Sequence, residues 1–181
     1  MEGPTWRDHV NETPDDLERL QHLLETSYAE AGGHLTAIHT PAARITAADL
    51  ADRLQGMQVV VVATVSADGR PFTGPVDAFL HRGRVVFGTA REAVRARHLR
   101  DRPVVSVTHV RGEELVVTVH GRAVPIDPAA DPDLVATMRD WYGPDWHPAA
   151  EGAVYFVVDP DRMFAADMTV HTAAAAEPAP A

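Results

Sequence analysis

The sequence contains no cysteine and no lysine, since all 16 of its basic residues are arginine. Without thiols it can form neither disulfides nor thiolate-bound iron–sulfur clusters, and without lysine it has neither a Schiff base nor a P-loop. None of its serines lies in the G-x-S-x-G setting of a hydrolase, and neither G-x-G-x-x-G nor H-E-x-x-H occurs. Its 10 histidines are scattered. We therefore predict no metal site and name no catalytic side chain.

Long hydrophobic runs are also missing. No apolar stretch reaches the roughly 18 residues of a membrane-spanning helix, and the N-terminal segment lacks the apolar centre of a signal peptide. A cytoplasmic protein is the resulting expectation. The formal net charge of -10 argues against nucleic acids and anionic membranes as partners. With 181 residues, 45% of them hydrophobic, the chain can bury one good core.

The central part of the chain reads as short strands separated by turns. Alternating or continuous β-branched runs predict six strands, at residues 59–65, 72–81, 84–89, 104–110, 115–124 and 153–158, and residues 162–168 are expected to continue the sheet. Pro75 cannot donate to a sheet ladder, which places it at an edge or bulge where a ligand can approach the backbone. This pattern predicts a mainly β (α+β) fold with a closed or split six-stranded barrel.

Arginines are concentrated between the third and fourth strands. Seven of them lie in residues 82–102 against only two acidic residues, Glu92 and Asp101, so this stretch carries about +5 in an acidic chain. Thr89 and Glu92 have the spacing of a capping box, which predicts a helix that starts near Ala90 and stops before residue 103. Arg91 and Arg95 would then share one helix face near its N-terminus, where a phosphate binds well. Arg97, Arg100 and Arg102 are expected to face solvent.

Other helices surround this segment. Capping signals and apolar spacing predict them from Thr13-Pro14 to about residue 32, from Thr46 to about residue 57, and over residues 132–142. An aromatic turn at residues 141–146 follows, which either caps a ligand groove or packs on the barrel end. We thus divide the chain into an N-terminal helical extension (1–45), a barrel domain (46–168) and a disordered Ala/Pro tail (169–181).

Four segments together resemble the pyridoxamine 5'-phosphate oxidase-like split-barrel superfamily, which includes flavin- and deazaflavin-dependent oxidoreductases of actinobacterial type. The segments are residues 63–71, 74–76, 87–103 and 119–123. The resemblance implies a homodimer that binds its cofactor at the subunit interface and transfers a hydride to or from a small organic substrate. It implies FMN or the deazaflavin coenzyme F-420 as cofactor. The cofactor-binding positions it assigns are Thr73, Pro75, Val76, Asp77, Thr89 and Arg95, with Arg91 as a further phosphate ligand.

The sequence departs from this family pattern in two places. Ala93-Val94-Arg95 stands where many members have Ser-Arg-Lys, and residues 168–172 lack the arginine-bearing closing motif of the vitamin B6 oxidases. Oxidation of pyridoxamine phosphate itself is therefore not expected. A non-catalytic barrel that binds a cofactor or haem is the alternative. His109 and His120 are expected to face each other across the fourth and fifth strands, and one of them would be the axial ligand of a haem. A flavin-free structural dimer is a third, weaker possibility.

Overall fold

The computed structural model describes residues 12–147 and 152–170, which form five helices and six strands. In chain order these are α1 (Pro14–Ala29), α2 (Gly33–Ile38), α3 (Ala47–Arg53), β1 (Gln58–Val65), β2 (Pro71–His81), β3 (Arg84–Ala90), α4 (Val94–Asp101), β4 (Val104–Arg111), β5 (Leu115–Pro125), α5 (Pro132–Tyr142) and β6 (Ala153–Ala166). None of these helices is long and apolar enough to cross a membrane. The segments 1–11 and 171–181, which include most of the predicted tail, lie outside the described residues.

The six strands close into one antiparallel barrel in the order β1-β2-β3-β6-β5-β4. This confirms the six-stranded barrel that the sequence predicts. Inward side chains alternate with outward ones along the strands, most clearly in β5, where the odd-numbered positions from Leu115 to Ala123 are buried. The barrel interior is thus filled by aliphatic and aromatic side chains of all six strands, and it contains most of the core.

The sixth strand is longer than the sequence indicates. It runs without a break from Ala153 to Ala166, whereas the Asp159-Pro160 pair predicts that it ends near residue 158. The strand tolerates Pro160 because the β5–β6 register shifts between His120 and Gly121, which forms a bulge. Gly121 makes the bulge possible, since a Cβ there would collide with the carbonyl oxygen of Asp159.

The short third strand leaves the barrel split. β3 pairs with only four residues of β2, at positions 78–81. The last residues of β3 turn away from β2 and pair with β6 alone. Residues 71–77 of β2 therefore pair with β1 alone and have a free edge on the β3 side. Pro75 lies on this edge, which confirms its predicted position. The gap between β2 and β3 is the feature around which the candidate site is built.

Three helices begin where the sequence predicts them. The side-chain hydroxyl of Thr13 and the carboxylate of Asp16 form a capping box at α1, Thr46 accepts a hydrogen bond from the backbone of Asp49 at α3, and Pro132 opens α5. α1 packs its buried leucines, Leu20 and Leu24, against the barrel core. α5 covers the outer face of β2, β3 and β6, where its Met138 and Trp141 form a second apolar cluster with Phe79.

Candidate functional site

Arg95 lies across the gap between β2 and β3. Its Nη1 donates to the hydroxyl of Thr89 on β3, at 3.3 Å. On the other side of the gap, a Cβ built on Gly74 of β2 would lie only 2.6 Å from Arg95 Nη2. The guanidinium therefore rests directly over the bare backbone of Gly74. The space between the two diverging strands is thus lined by a cation, a hydroxyl and an unpaired strand edge.

The helix that carries Arg95 starts later than its sequence predicts. Thr89 is part of β3, and α4 begins at Val94 with Ala93 as an N-cap that makes no side-chain hydrogen bond. The capping-box interpretation of Thr89 and Glu92 is therefore wrong. The physical reason is the β3–β6 ladder, which extends to Ala90 paired with Ala153 and commits the backbone to a strand at this point. The hydroxyl of Thr89 is consequently free to accept from Arg95 instead of capping a helix.

A pocket of about 180 Å³ opens beside Arg95. It is lined by Thr64, Phe72, Thr73, Ala93, Val94 and Arg95. Thr64 is almost fully buried, and its Oγ1 lies 3.0 Å from Nδ1 of the buried His98 on α4. The ring of Phe72 meets the same histidine edge-on, with centroids 5.0 Å apart. Part of the pocket wall is therefore formed by a polar pair, Thr64 on β1 and His98 on α4, whose hydrogen bond holds the two side chains in place.

Arg95 has no anionic partner in the described part of the chain. Its side chain is half-buried, and burial lowers the pKa of its guanidinium below the usual value. A guanidinium nevertheless remains charged at any physiological pH. A partly desolvated cation without a carboxylate is a costly arrangement, and an anion that enters the pocket would offset this cost. The pocket is therefore suited to a phosphate or another small anion.

The structure brings only some of the predicted site residues together. Thr73 and Arg95 line one pocket, and Thr89 is hydrogen-bonded to Arg95. Arg91 lies apart from them, because it precedes α4 and donates through Nη2 to the carbonyl of Ala153 at 3.0 Å. It lines a different pocket, with Arg100. The predicted shared helix face for Arg91 and Arg95 is thus wrong.

The predicted cofactor-binding positions other than Thr89, Arg91 and Arg95 lie along β2. Thr73, Pro75 and Asp77 are exposed, and they share one face of the strand because successive side chains alternate. Val76 is half-buried on the opposite face, where it packs against the barrel core. Thr73, Pro75 and Asp77 can therefore present side chains to a ligand on the outside of the barrel, whereas Val76 can offer only its backbone.

The aromatic segment after α5 packs mainly on the barrel. Trp141 meets Phe79 edge-on with ring centroids 4.5 Å apart, and Trp146 meets Tyr155 at 5.1 Å. Tyr142 is half-exposed, and its pKa is raised by burial, by Tyr155 and by the carboxylate of Asp77. Asp77 is thus close enough to act on Tyr142. The end of α5 lies near the outer face of β2 as well as on the barrel.

His109 and His120 do not face each other. In the β4–β5 register, odd-numbered residues lie opposite odd-numbered ones and even-numbered residues opposite even-numbered ones. His109 therefore lies opposite Val117, and His120 lies opposite Ser106. His109 is buried inside the barrel and donates from Nδ1 to the carbonyl of Val59 at 2.9 Å, whereas His120 is exposed on the outside. The predicted facing of these two histidines is therefore wrong. The described residues also contain no group of three or more side chains able to hold a metal ion.

Sequence reasoning missed four residues of this site: Gly74 beneath the guanidinium, Phe72, and the buried pair Thr64 and His98. The sequence does carry one signal for Thr64. Inward positions of β1 alternate with outward ones, and Thr64 is a polar residue at an inward position after Val60 and Val62. A buried hydroxyl needs a partner, which this alternation alone could have predicted.

The gap between its second and third strands makes this six-stranded barrel a member of the class of split β-barrels. Within that class, the chain belongs to the pyridoxamine 5'-phosphate oxidase family, whose model matches residues 46–167. The matched region comprises all six strands together with α3, α4 and α5. No curated protein sequence matches the chain.

Solved structures with the same barrel are distant in sequence. The conserved hypothetical protein Rv2991 from Mycobacterium tuberculosis is 18% identical over 79% of this chain and 95% of its own, with a TM-score of 0.60. The haem storage protein HutZ from Vibrio cholerae is 20% identical over 60% and 86%, with a TM-score of 0.51. Atu2129 from Agrobacterium tumefaciens, of unknown function, is 19% identical over 60% of this chain and 50% of its own, with a TM-score of 0.49. The first two similarities show the fold alone.

Proposed function

We propose that this protein is a flavin- or deazaflavin-dependent oxidoreductase that transfers a hydride between its cofactor and a small organic substrate. The observation that carries the proposal is Arg95, a half-buried cation without an anionic partner in the described residues, in a gap that also holds two threonine hydroxyls. Both FMN and coenzyme F-420 combine a phosphate with a tricyclic ring. Family membership supports a cofactor of this kind.

The site would hold such a molecule in two parts, with the phosphate inside the pocket beside Arg95 and the ring outside it. The pocket beside Arg95 holds about 180 Å³, less than the roughly 300–1,000 Å³ of pockets that enclose a whole cofactor-sized ligand. It suits a phosphate, which Thr73, Thr89 and Arg95 would bind. The ring would lie outside, along the free edge of β2 near Pro75 and Asp77. When bound, the cofactor supplies the hydride chemistry, and the chain orients it and excludes water.

An apolar outer face supports a homodimer. Val59 and Val61 on β1 and Val104 and Val110 on β4 point outward, and their exposures range from 44% to 63%. These residues, here called the β1–β4 valine face, would be costly to leave in water. Val61 pairs with Pro75, so the face is continuous with the strand edge proposed for the ring. A second copy on this face would complete the groove that one barrel leaves open.

Parallel titrations test the proposal. Purified protein is titrated with FMN, coenzyme F-420 and haemin, and the titrations are repeated with Arg95→Gln and with the matched control Arg97→Gln on the same helix. We expect tight binding of FMN or coenzyme F-420, weakened roughly tenfold or more by Arg95→Gln because a charge-assisted hydrogen bond is lost. The Arg97 variant should bind normally, because that guanidinium is exposed and contacts only the carbonyl of Glu92. Absence of binding below roughly 100 μM, a weak affinity, would refute the proposal.

The alternative is a barrel that binds a flavin, haem or another anion without turnover. One observation favours it: the N-terminus of α4 offers Ala93 and Val94, which bring no side-chain donor to the pocket beside Arg95. The similarity to a haem storage protein belongs to the same argument. Anaerobic mixing with nicotinamide and reduced deazaflavin donors separates the two functions. A bound flavin that no such donor reduces, or preferential binding of haemin, would favour the non-catalytic barrel.

A further inference from the structure

A second pocket opens on α4, away from the one that contains Arg95. It holds about 110 Å³ and is lined by Arg91, Ala96, Arg100, Pro125, Val154 and Phe156. The two pockets have no lining residue in common. The residues that line the second pocket come from four parts of the chain: the β3–α4 connection, α4, the end of β5 and the start of β6.

The apolar part of this pocket belongs to the core. Ala96 and Phe156 are only 3% exposed, and Val154 packs against the barrel cluster. Phe156 also stacks on Phe87, with ring centroids 5.5 Å apart. The pocket is therefore a short apolar recess held by rigid elements. Its volume of about 110 Å³ is below the roughly 150 Å³ of an enclosed apolar cavity able to hold benzene, so only a small apolar group fits.

Two arginines share the lining of this apolar recess. Arg91 uses one donor on the carbonyl of Ala153, which fixes the direction of its guanidinium and leaves most of its five N–H donors open. The side chain of Arg100 is exposed and makes no hydrogen bond or ion pair with any residue that the structure describes. Neither guanidinium pairs with a carboxylate among the described residues. Two such cations next to an apolar recess are complementary to a molecule that has an apolar body and one carboxylate.

We infer that this pocket, here called the Arg91–Arg100 pocket, binds a small apolar carboxylate such as an aromatic or short branched acid. The apolar body enters between Ala96, Val154 and Phe156, and the carboxylate accepts hydrogen bonds from the two guanidinium groups. The inference is independent of the cofactor proposal, because it uses other residues and another ligand. It also gives a role to Arg91, which the structure removes from the neighbourhood of Arg95.

A chemical-shift titration tests the site directly. Isotope-labelled full-length protein is titrated with benzoate, and benzyl alcohol and inorganic phosphate serve as the neutral and the purely anionic probe. We expect benzoate to shift the amide resonances of Ala96 and Val154 in a saturable way and to leave those of Thr64 and Thr73 unchanged. Both other probes should bind at least tenfold more weakly, because benzyl alcohol lacks the negative charge and phosphate lacks the apolar body.

Variants identify the cations. Arg91→Gln and Arg100→Gln should each weaken benzoate binding roughly tenfold, whereas Arg97→Gln, at an exposed position of α4, should not. Equal binding of benzyl alcohol, or an effect of Arg97→Gln as large as the others, would overturn the inference. Displacement of benzoate by FMN would also overturn it, since the two pockets would then be one site. Normal FMN binding by Arg91→Gln together with loss of benzoate binding would separate this site from the cofactor site.

Discussion

At the scale of single residues, Gly74 is needed because of what lies over it. The guanidinium of Arg95 occupies the space that any other side chain at this position would take. The colliding group is the far end of a flexible side chain, so a larger residue can be accommodated by moving Arg95. We therefore expect a substitution at position 74 to affect cofactor binding more than stability.

Gly74→Ala should displace Arg95 from the gap. We expect the free energy of unfolding to change by less than about 1 kcal/mol, because β2 itself is not strained. Affinity for FMN or coenzyme F-420 should fall roughly tenfold, equivalent to about 1.4 kcal/mol. Urea denaturation and cofactor titration measure the two effects. Gly33→Ala is the control, since a Cβ there meets nothing within 4 Å. Unchanged cofactor affinity in Gly74→Ala would contradict the assigned role of Arg95.

A second residue, His81, should make stability depend on pH. Its ring is buried, and burial, with smaller effects of the nearby Arg82 and Arg84, lowers its pKa from 6.5 to about 4. The unfolded chain thus binds a proton more readily than the folded protein between pH 6.5 and pH 4. The contribution of neutral His81 to stability is therefore complete above pH 6.5 and is lost as the pH falls towards 4.

His81→Gln tests this dependence. The difference between the two pKa values corresponds to at most roughly 3 kcal/mol, which the wild-type protein should lose between pH 7 and pH 4 and the variant should not. The buried Asp16, whose pKa is lowered, adds a loss of the same sign in both proteins, so the comparison is between their slopes. Urea unfolding at several pH values measures the slopes. His22→Gln, at an exposed position on α1, should retain the wild-type slope.

At the scale of elements, α1 protects a strand edge. β6 pairs with β3 only up to Val157, so its second half has no strand on that side. Side chains of α1 take over part of the missing ladder: Ser27 Oγ accepts from the backbone N–H of Met163, and the hydroxyl of Tyr28 donates to the carbonyl of Ala165, both at 2.9 Å. Unpaired edges invite aggregation, and this helix covers part of the edge of β6. The extension before the matched family region is thus part of the packed barrel.

Tyr28→Phe should weaken this contact. The hydroxyl also lies 2.9 Å from Nδ1 of His39, and since its single proton goes to Ala165 it accepts from that nitrogen. Removal of the hydroxyl takes a buried partner from both groups, and we expect a loss of about 1–3 kcal/mol of unfolding free energy. Thermal and urea unfolding provide the measurement. Tyr142→Phe, whose side chain is half-exposed, should change stability little; an equal effect of the two variants would refute the edge-protection role.

At the scale of the whole molecule, charge and apolar surface are distributed unevenly. The chain carries a formal net charge of -10, yet the β1–β4 valine face contains four outward valines. Apolar side chains that are grouped on one exposed face indicate an interaction surface, so we expect these valines to be covered by a second copy. The proposed dimer buries this face and places a second barrel beside the ring-binding edge, which links assembly to cofactor binding.

Val61→Asp should disrupt the dimer. A carboxylate at the centre of an apolar interface would have to be desolvated in both copies, so we expect a monomer at micromolar concentration and at least tenfold weaker cofactor binding. Light scattering coupled to size exclusion gives the mass. Ile38→Asp, an exposed apolar position on α2 outside this face, is the matched control. A wild-type protein that is monomeric throughout, or a Val61 variant that stays dimeric, would contradict the proposed interface.

The sequence alone determined the elements whose signals are local. Strand alternation, Pro and Gly turns and the capping residues of α1 and α3 predicted six strands, three of the helices and the barrel, because these features depend on neighbours within a few residues. The arginine-rich segment was also evident. Local signals failed at Thr89, where strand pairing with β6 overrode a capping pattern, and at Pro160, where a bulge opposite Gly121 let one strand continue.

Only the tertiary structure decided how the site is assembled. It placed Arg95 over Gly74, gave Thr64 the partner His98, sent Arg91 to a second pocket and separated His109 from His120. Each of these contacts depends on strand register and on where β3 leaves β2. Register is set by the sum of many cross-strand contacts along the whole barrel, so no short window of sequence contains it.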